Sequence, residues 1–158
     1  MTRPKARRDF ILDSGGVSYL AESDQHARSF RAHISQDYDG ASILVPIDVL
    51  TESLTGNPRR DAKVNRLLKK IADPADPEGF WLHLTPIIAV NAAALRAQAV
   101  KRGAATAKRP ISVVDAHVVA FAVERSALCP VTIVTSDPGD IQMLVDLTGR
   151  TNIAVVVV

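Results

Sequence analysis

Cysteine, aromatic side chains and net charge are all scarce in this chain. Cys129 stands alone among 158 residues, so no disulfide can form within the chain and a thiolate-rich zinc site is excluded. A reducing cytoplasm is the natural setting for such usage. No apolar run approaches the roughly 20 residues that span a bilayer. The basic start (Arg3, Lys5, Arg7, Arg8) is followed only by Phe10, Ile11 and Leu12 before Asp13, which is no signal-peptide core. Four Phe, two Tyr and one Trp are too few to interleave with basic residues, so base recognition by stacking is not expected. A formal charge of +2 does not by itself imply nucleic acid. No glycine fingerprint of a Walker or Rossmann phosphate loop is present.

With 47% hydrophobic and 23% charged residues the composition is that of a globular protein with one proper core. Short β-branched or aromatic runs at 10–12, 42–45, 80–84, 131–135 and 153–157 read as five strands, apolar enough to be buried on both faces. Helical patterns lie between them. They begin at Val17 and Leu20, run over 25–37, and recur at Ile47, Leu50 and Leu54. Val64, Leu67, Leu68 and Ile71 form an apolar stripe with basic residues opposite. Pro86 opens an Ala-rich helix, Ser112 caps another, and Asp137-Pro138 opens a last one that Gly149 stops. Strands alternating with helices predict an α/β fold: one domain over 9–158, with a central, mostly parallel five-stranded sheet and helices on both faces. Residues 1–8 are expected to be a disordered basic arm.

The acids fall at telling places. Asp13 directly follows the first strand and Asp137 the fourth, where open parallel sheets bind ligands. Asp115 opens a helix amid Val113, Val114, Ala116 and Val119. Glu52 lies one turn past Asp48, between Leu50 and Leu54. Each acid has a plainer reading: Asp13, Asp115 and Asp137 as helix N-caps, Glu52 as a solvated helix acid, Asp140 as a helix-dipole acid. Carboxylates forced together repel one another unless a cation intervenes, and hard oxygen donors favour Mg²⁺ or Mn²⁺ over zinc. On this reading Asp13, Asp115 and Asp137 are metal ligands, joined by Glu52 and Asp140 as further candidates.

Four segments resemble the PIN-domain family, and most of all the VapC-type toxin ribonucleases. They are Phe10-Ile-Leu-Asp-Ser-Gly-Gly-Val-Ser-Tyr-Leu-Ala21, Val45-Pro-Ile-Asp-Val-Leu-Thr-Glu52, Ser112-Val-Val-Asp-Ala-His-Val-Val-Ala120 and Ile133-Val-Thr-Ser-Asp-Pro-Gly-Asp-Ile141. They occur in family order over nearly the whole chain. The resemblance implies a PIN-like domain and an Mg²⁺- or Mn²⁺-dependent endoribonuclease whose catalytic residues are Asp13, Glu52, Asp115 and Asp137. It also implies an RNA substrate, a small antitoxin as partner and a homodimer. One position departs: the family carries Ser or Thr two residues after its first Asp, and here that place is Gly15, beside Ser14. The alternative reading is therefore a catalytically weak or inactive PIN-like module that binds RNA or protein. A phosphotransfer enzyme on a similar sheet is a further rival, but Asp13-Ser14-Gly15 supplies neither the Asp-x-Asp of a haloacid dehalogenase-like phosphatase nor the acidic pair of a receiver domain.

Arg59, Lys63, Arg66 and Lys70 share one helix face and form a candidate RNA-phosphate stripe. Lys108 and Arg109 form a second candidate, and both sets read equally as solvated surface. His26, His33 and His83 have no metal spacing. His117 reads as packed or solvated, and Phe80 and Trp81 as core or interface. The strand at the C-terminus reads as a sheet edge.

Overall fold

The computed structural model describes residues 7–38 and 40–158. In chain order the elements are β1 (Asp9–Leu12), α1 (Ser14–Glu22), α2 (Asp24–Asp37), β2 (Ser42–Pro46), α3 (Val49–Ser53), α4 (Pro58–Ile71), β3 (Trp81–Leu82), α5 (Pro86–Lys101), α6 (Val113–Arg125), β4 (Val131–Thr135), α7 (Pro138–Thr148) and β5 (Ile153–Val157). The strands form a single five-stranded sheet in the order β3-β2-β1-β4-β5, and every pairing is parallel. The chain winds outward from β1 through β2 to β3, then returns to β1's other side for β4 and β5. That reversal puts a crevice between β1 and β4 at their carboxyl ends.

Burial follows this order. β1 and β4 are buried throughout, as their uninterrupted apolar runs require. β5 is an edge whose Val156 and Val157 are exposed, while β3 is a two-residue edge on the far side. On the flanks, α1 packs against α2, α3 and α4, and α5 packs against α6 and α7. The helix ends are set by local chemistry. Asn57, Thr85 and Ser112 accept hydrogen bonds from first-turn amides of α4, α5 and α6. Pro58, Pro86 and Pro138 occupy first-turn positions that lack a carbonyl partner anyway. Gly149 closes α7 in the left-handed region at φ 66°.

Two elements are shorter than the sequence suggests. The expected strand 80–84 contracts to Trp81–Leu82, because β2 turns away after Pro46 and leaves positions 83 and 84 nothing to pair with. The helix expected around Ile47, Leu50 and Leu54 forms only over Val49–Ser53, with Ile47 and Asp48 in a turn. Of the arm expected to be disordered, residues 1–6 lie outside the described residues. Arg8 is anchored: its Nη1 donates to Thr132 Oγ1 at 2.9 Å, and its carbonyl accepts from the Ser42 amide.

Candidate active site

Five carboxylates reach one cavity of about 280 Å³ at the carboxyl ends of the strands: Asp13, Glu52, Asp115, Asp137 and Asp140. Four different stretches of chain deliver them. Asp13 leaves β1 and caps α1, its Oδ1 accepting the Gly16 amide at 2.7 Å. Asp137 leaves β4 and caps α7 through Gly139 at 3.4 Å. The Thr135 hydroxyl holds that turn, accepting from the Asp137 amide at 3.0 Å and donating to its carbonyl at 3.1 Å. The cap reading of these two aspartates therefore holds, and both also line the cavity. Asp115 is not a cap. Ser112 fills that role for α6, and Asp115 points from the first turn into the cavity.

Electrostatics mark the cluster as crowded. Burial pushes the Asp115 carboxyl up to about 7, reinforced in turn by the charges of Asp13, Glu52, Asp140 and Asp137. Burial also raises Asp13, against the pull of the neighbouring Thr135 hydroxyl and the Gly16 and Gly15 amides. Arg109 is the one basic residue lining the cavity among the described residues. Lys108, its partner in the sequence reading, does not line it.

As the side chains stand, no group of three or more His, Cys, Asp or Glu among the described residues is arranged to hold a metal ion. The donor chemistry nevertheless fits a hard divalent cation. All five acids supply oxygen, and their mutual repulsion is what such a cation would relieve.

A second cavity, of about 560 Å³, lies between α1 and α4. Ser18, Tyr19 and Glu22 line it from α1, and Arg59, Arg60 and Lys63 from α4. Gly15 and Ser136 line both cavities. The basic stripe read from the sequence thus divides. Arg59 and Lys63 face this cavity, whereas Lys70 is ion-paired to Asp24 at 2.7 Å. Asp24 is held below its usual range chiefly by Lys70, with Arg66 contributing.

Three features escape sequence reasoning: Arg60, which joins Arg59 and Lys63; the Ser136 hydroxyl; and a partly buried pairing of His117 Nδ1 with Asp48 Oδ2. His117 is thus packed rather than solvated. The pairing joins the turn before α3, which bears Glu52, to α6, which bears Asp115. The Asp48 side chain makes no capping hydrogen bond to α3.

The fold and the cavity define a PIN-like α/β domain with an acidic pocket at the switch point of its sheet. Solved structures share that fold. One match is a chain of VapBC2 from Rickettsia felis, solved bound to a DNA fragment from their promoter; identity is 12%, TM-score 0.59, coverage 95% of this chain and 98% of that one. Another is FitAcB from Neisseria gonorrhoeae, with 20% identity, TM-score 0.57 and coverage of 92% and 95%. No protein-family model matches the chain, and no curated protein matches it in sequence. No helix among the described residues is long and apolar enough to cross a membrane.

Proposed function

We propose that this chain is an Mg²⁺- or Mn²⁺-dependent endoribonuclease that hydrolyses RNA phosphodiester bonds, the toxin of a type II toxin–antitoxin pair. The observation that carries the reading is the convergence of five acids on one cavity, with Asp115 driven up to about 7 by burial and by the other four. The resemblance of four segments to VapC-type toxins supports the choice of reaction. The fold shared with VapBC2 and FitAcB, both toxin–antitoxin complexes, supports a small antitoxin as partner. A homodimer and a cytoplasmic setting complete the proposal.

Asp13, Asp115 and Asp137 would hold the ion, with Glu52 holding a second ion or orienting water, and Asp140 at the rim. Bound there, the metal would supply charge neutralisation at the phosphoryl group and a more acidic water. Arg109 offers the cavity a cationic donor, suited to a phosphate oxygen. Arg59, Arg60 and Lys63 offer three more along the neighbouring cavity, where flanking phosphates of a single strand would lie.

The alternative, a PIN-like module that binds RNA or protein without cutting, draws on two observations: among the described residues no ready metal-ligand group is assembled, and position 15 lacks a hydroxyl. Calorimetric titration with Mn²⁺ separates the readings. The wild type is expected to bind and Asp13→Asn to bind far more weakly. Absence of Mn²⁺ binding by the wild type, together with no cleavage of single-stranded RNA, would leave the binding module as the answer.

A further inference from the structure

Gly15 and Ser136 fit together in a way that only a glycine permits. A Cβ on Gly15 would stand 2.2 Å from Ser136 Oγ, 2.8 Å from its amide nitrogen and 3.1 Å from its Cβ. Packed atoms do not approach so closely. Gly15 is not among the positive-φ residues, so close approach, rather than backbone conformation, demands a glycine there. The space that a side chain at position 15 would fill is held by the hydroxyl of Ser136.

That hydroxyl is exposed and makes no hydrogen bond to another described group, so its donor is free. Ser136 follows β4 directly and, with Gly15, forms the sill shared by the acidic cavity and the basic one. Charge changes sign across this sill. On one side five carboxylates can only accept hydrogen bonds when ionised, and they repel a phosphate; on the other, Arg59, Arg60 and Lys63 attract it. At the crossing from the basic cavity to the acids, the Ser136 hydroxyl offers a neutral donor beside the cationic one of Arg109.

We infer that Ser136 is a substrate-binding residue, whose hydroxyl donates to a phosphate oxygen of the RNA strand at the sill, and that Gly15 is glycine so that this hydroxyl can stand there. The inference rests on the ribonuclease reading above. A hydrogen bond to a charged oxygen is worth roughly tenfold or more in affinity or rate.

The test compares the full-length wild type with Ser136→Ala, Ser136→Thr and Gly15→Ala. The readouts are Mn²⁺ binding by calorimetry, thermal melting, and kcat and KM on a single-stranded RNA oligonucleotide. Ser136→Ala is expected to melt and bind Mn²⁺ as the wild type does, yet lose about tenfold in kcat/KM. Ser136→Thr, which restores the hydroxyl, is expected to recover most of that loss. Gly15→Ala must push the hydroxyl aside and is expected to lose at least as much as Ser136→Ala. If the wild type cuts RNA and Ser136→Ala cuts it equally well, this inference fails while the ribonuclease reading stands. A loss in Ser136→Ala that comes with a lower melting temperature or weaker Mn²⁺ binding would make Ser136 a structural residue and also overturn it. A wild type that neither binds Mn²⁺ nor cuts would bring down the ribonuclease reading and this inference together.

Discussion

At the amino end of β1, Asp9 is fully buried, and its Oδ2 receives Arg125 through Nε at 2.7 Å and Nη2 at 2.6 Å. At the other end of the same strand, Asp13 is 6% exposed and forms no ion pair among the described residues. Both aspartates sit in low dielectric, where a charge is costly unless paired. At the amino end an arginine meets that cost. At the carboxyl end it stands, visible in the raised Asp13 and Asp115 carboxyls. One buried acid of the strand is paired and its neighbours at the other end are left crowded, the contrast on which the proposed cation site rests.

Breaking the paired end should hurt the fold most. Asp9→Ala leaves the Arg125 guanidinium, which is largely buried, without its carboxylate. Removing one partner of such a pair costs about 3 kcal/mol, the low end of the usual range because Arg125 keeps some solvent contact. Urea unfolding checks it. A loss under about 1 kcal/mol would put Asp9 in the same class as a surface pair.

The other end should respond in the opposite sense. Asp13→Asn keeps a side-chain oxygen for the α1 cap and removes crowded negative charge, so the metal-free fold should hold or gain stability. RNA cleavage should fall by at least about 100-fold, since a bound ion contributes several kcal/mol to the reaction. With free Mn²⁺ at roughly 100 times its Kd, the wild type should gain about 2.7 kcal/mol and the variant almost nothing. A variant that cuts as the wild type does would erase the contrast between the two ends.

Acidity offers a finer probe. The Asp115 carboxyl is raised from an ordinary 3.8 to about 7. Below the lower value both folded and unfolded chains hold its proton, and the group's contribution to stability is complete. Between the two values the unfolded chain has released the proton and the fold has not, so stability falls as pH rises and levels off above about 7. The metal-free protein should therefore be more stable near about pH 5 than near about pH 8, and Asp115→Asn should flatten that slope. Saturating Mn²⁺ should also remove it by taking the proton's place. Denaturant unfolding across this range, with chelator present, is the measurement. A wild type and variant with identical slopes would mean that Asp115 does not titrate as the geometry demands.

Much of this arrangement is legible in the sequence because it depends on local chemistry. The β-branched runs become β4 and β5, and Pro86 and Pro138 open α5 and α7 where a missing N–H costs nothing. Asp13 and Asp137 declare themselves by standing where the chain leaves a strand. What stays hidden depends on residues far apart in the chain. The pairing of Asp48 with His117 ties the turn before α3 to α6, and nothing near either residue announces it. Arg109 reaches the acids from a connecting loop whose course only the whole fold determines. The Gly15–Ser136 sill left one signal: two adjacent glycines at a strand-to-helix junction. Gly16 is as tightly held as Gly15, since a Cβ there would meet the Val134 carbonyl oxygen at 2.4 Å.

A milder version of the contrast between paired and reserved charge runs along α4. At its far end Lys70 is tied to Asp24, with Arg66 acting on the same carboxylate. At its cavity end Arg59 and Lys63 form no ion pair among the described residues and face the space beside the acids. A cation already paired within the protein has little to release or gain on meeting a phosphate, whereas a free one displaces counterions from the nucleic acid. Each free cation that meets a phosphate of a single strand should steepen the plot of log affinity against log salt by about 0.7. Replacing both Arg59 and Lys63 with Gln should therefore flatten the plot by about 1.4 and weaken binding evenly across sequences, because phosphates carry no sequence. Lys70→Gln should leave the slope nearly unchanged. The titration belongs in the Asp13→Asn background, so that bound RNA is not cut, with Mn²⁺ binding followed in the otherwise wild-type chain as a control that α4 has not moved the acids. If Lys70→Gln flattens the slope as much as the double change does, the strand follows the whole face of α4, and the cavity between α1 and α4 loses its claim to guide RNA toward the carboxylates.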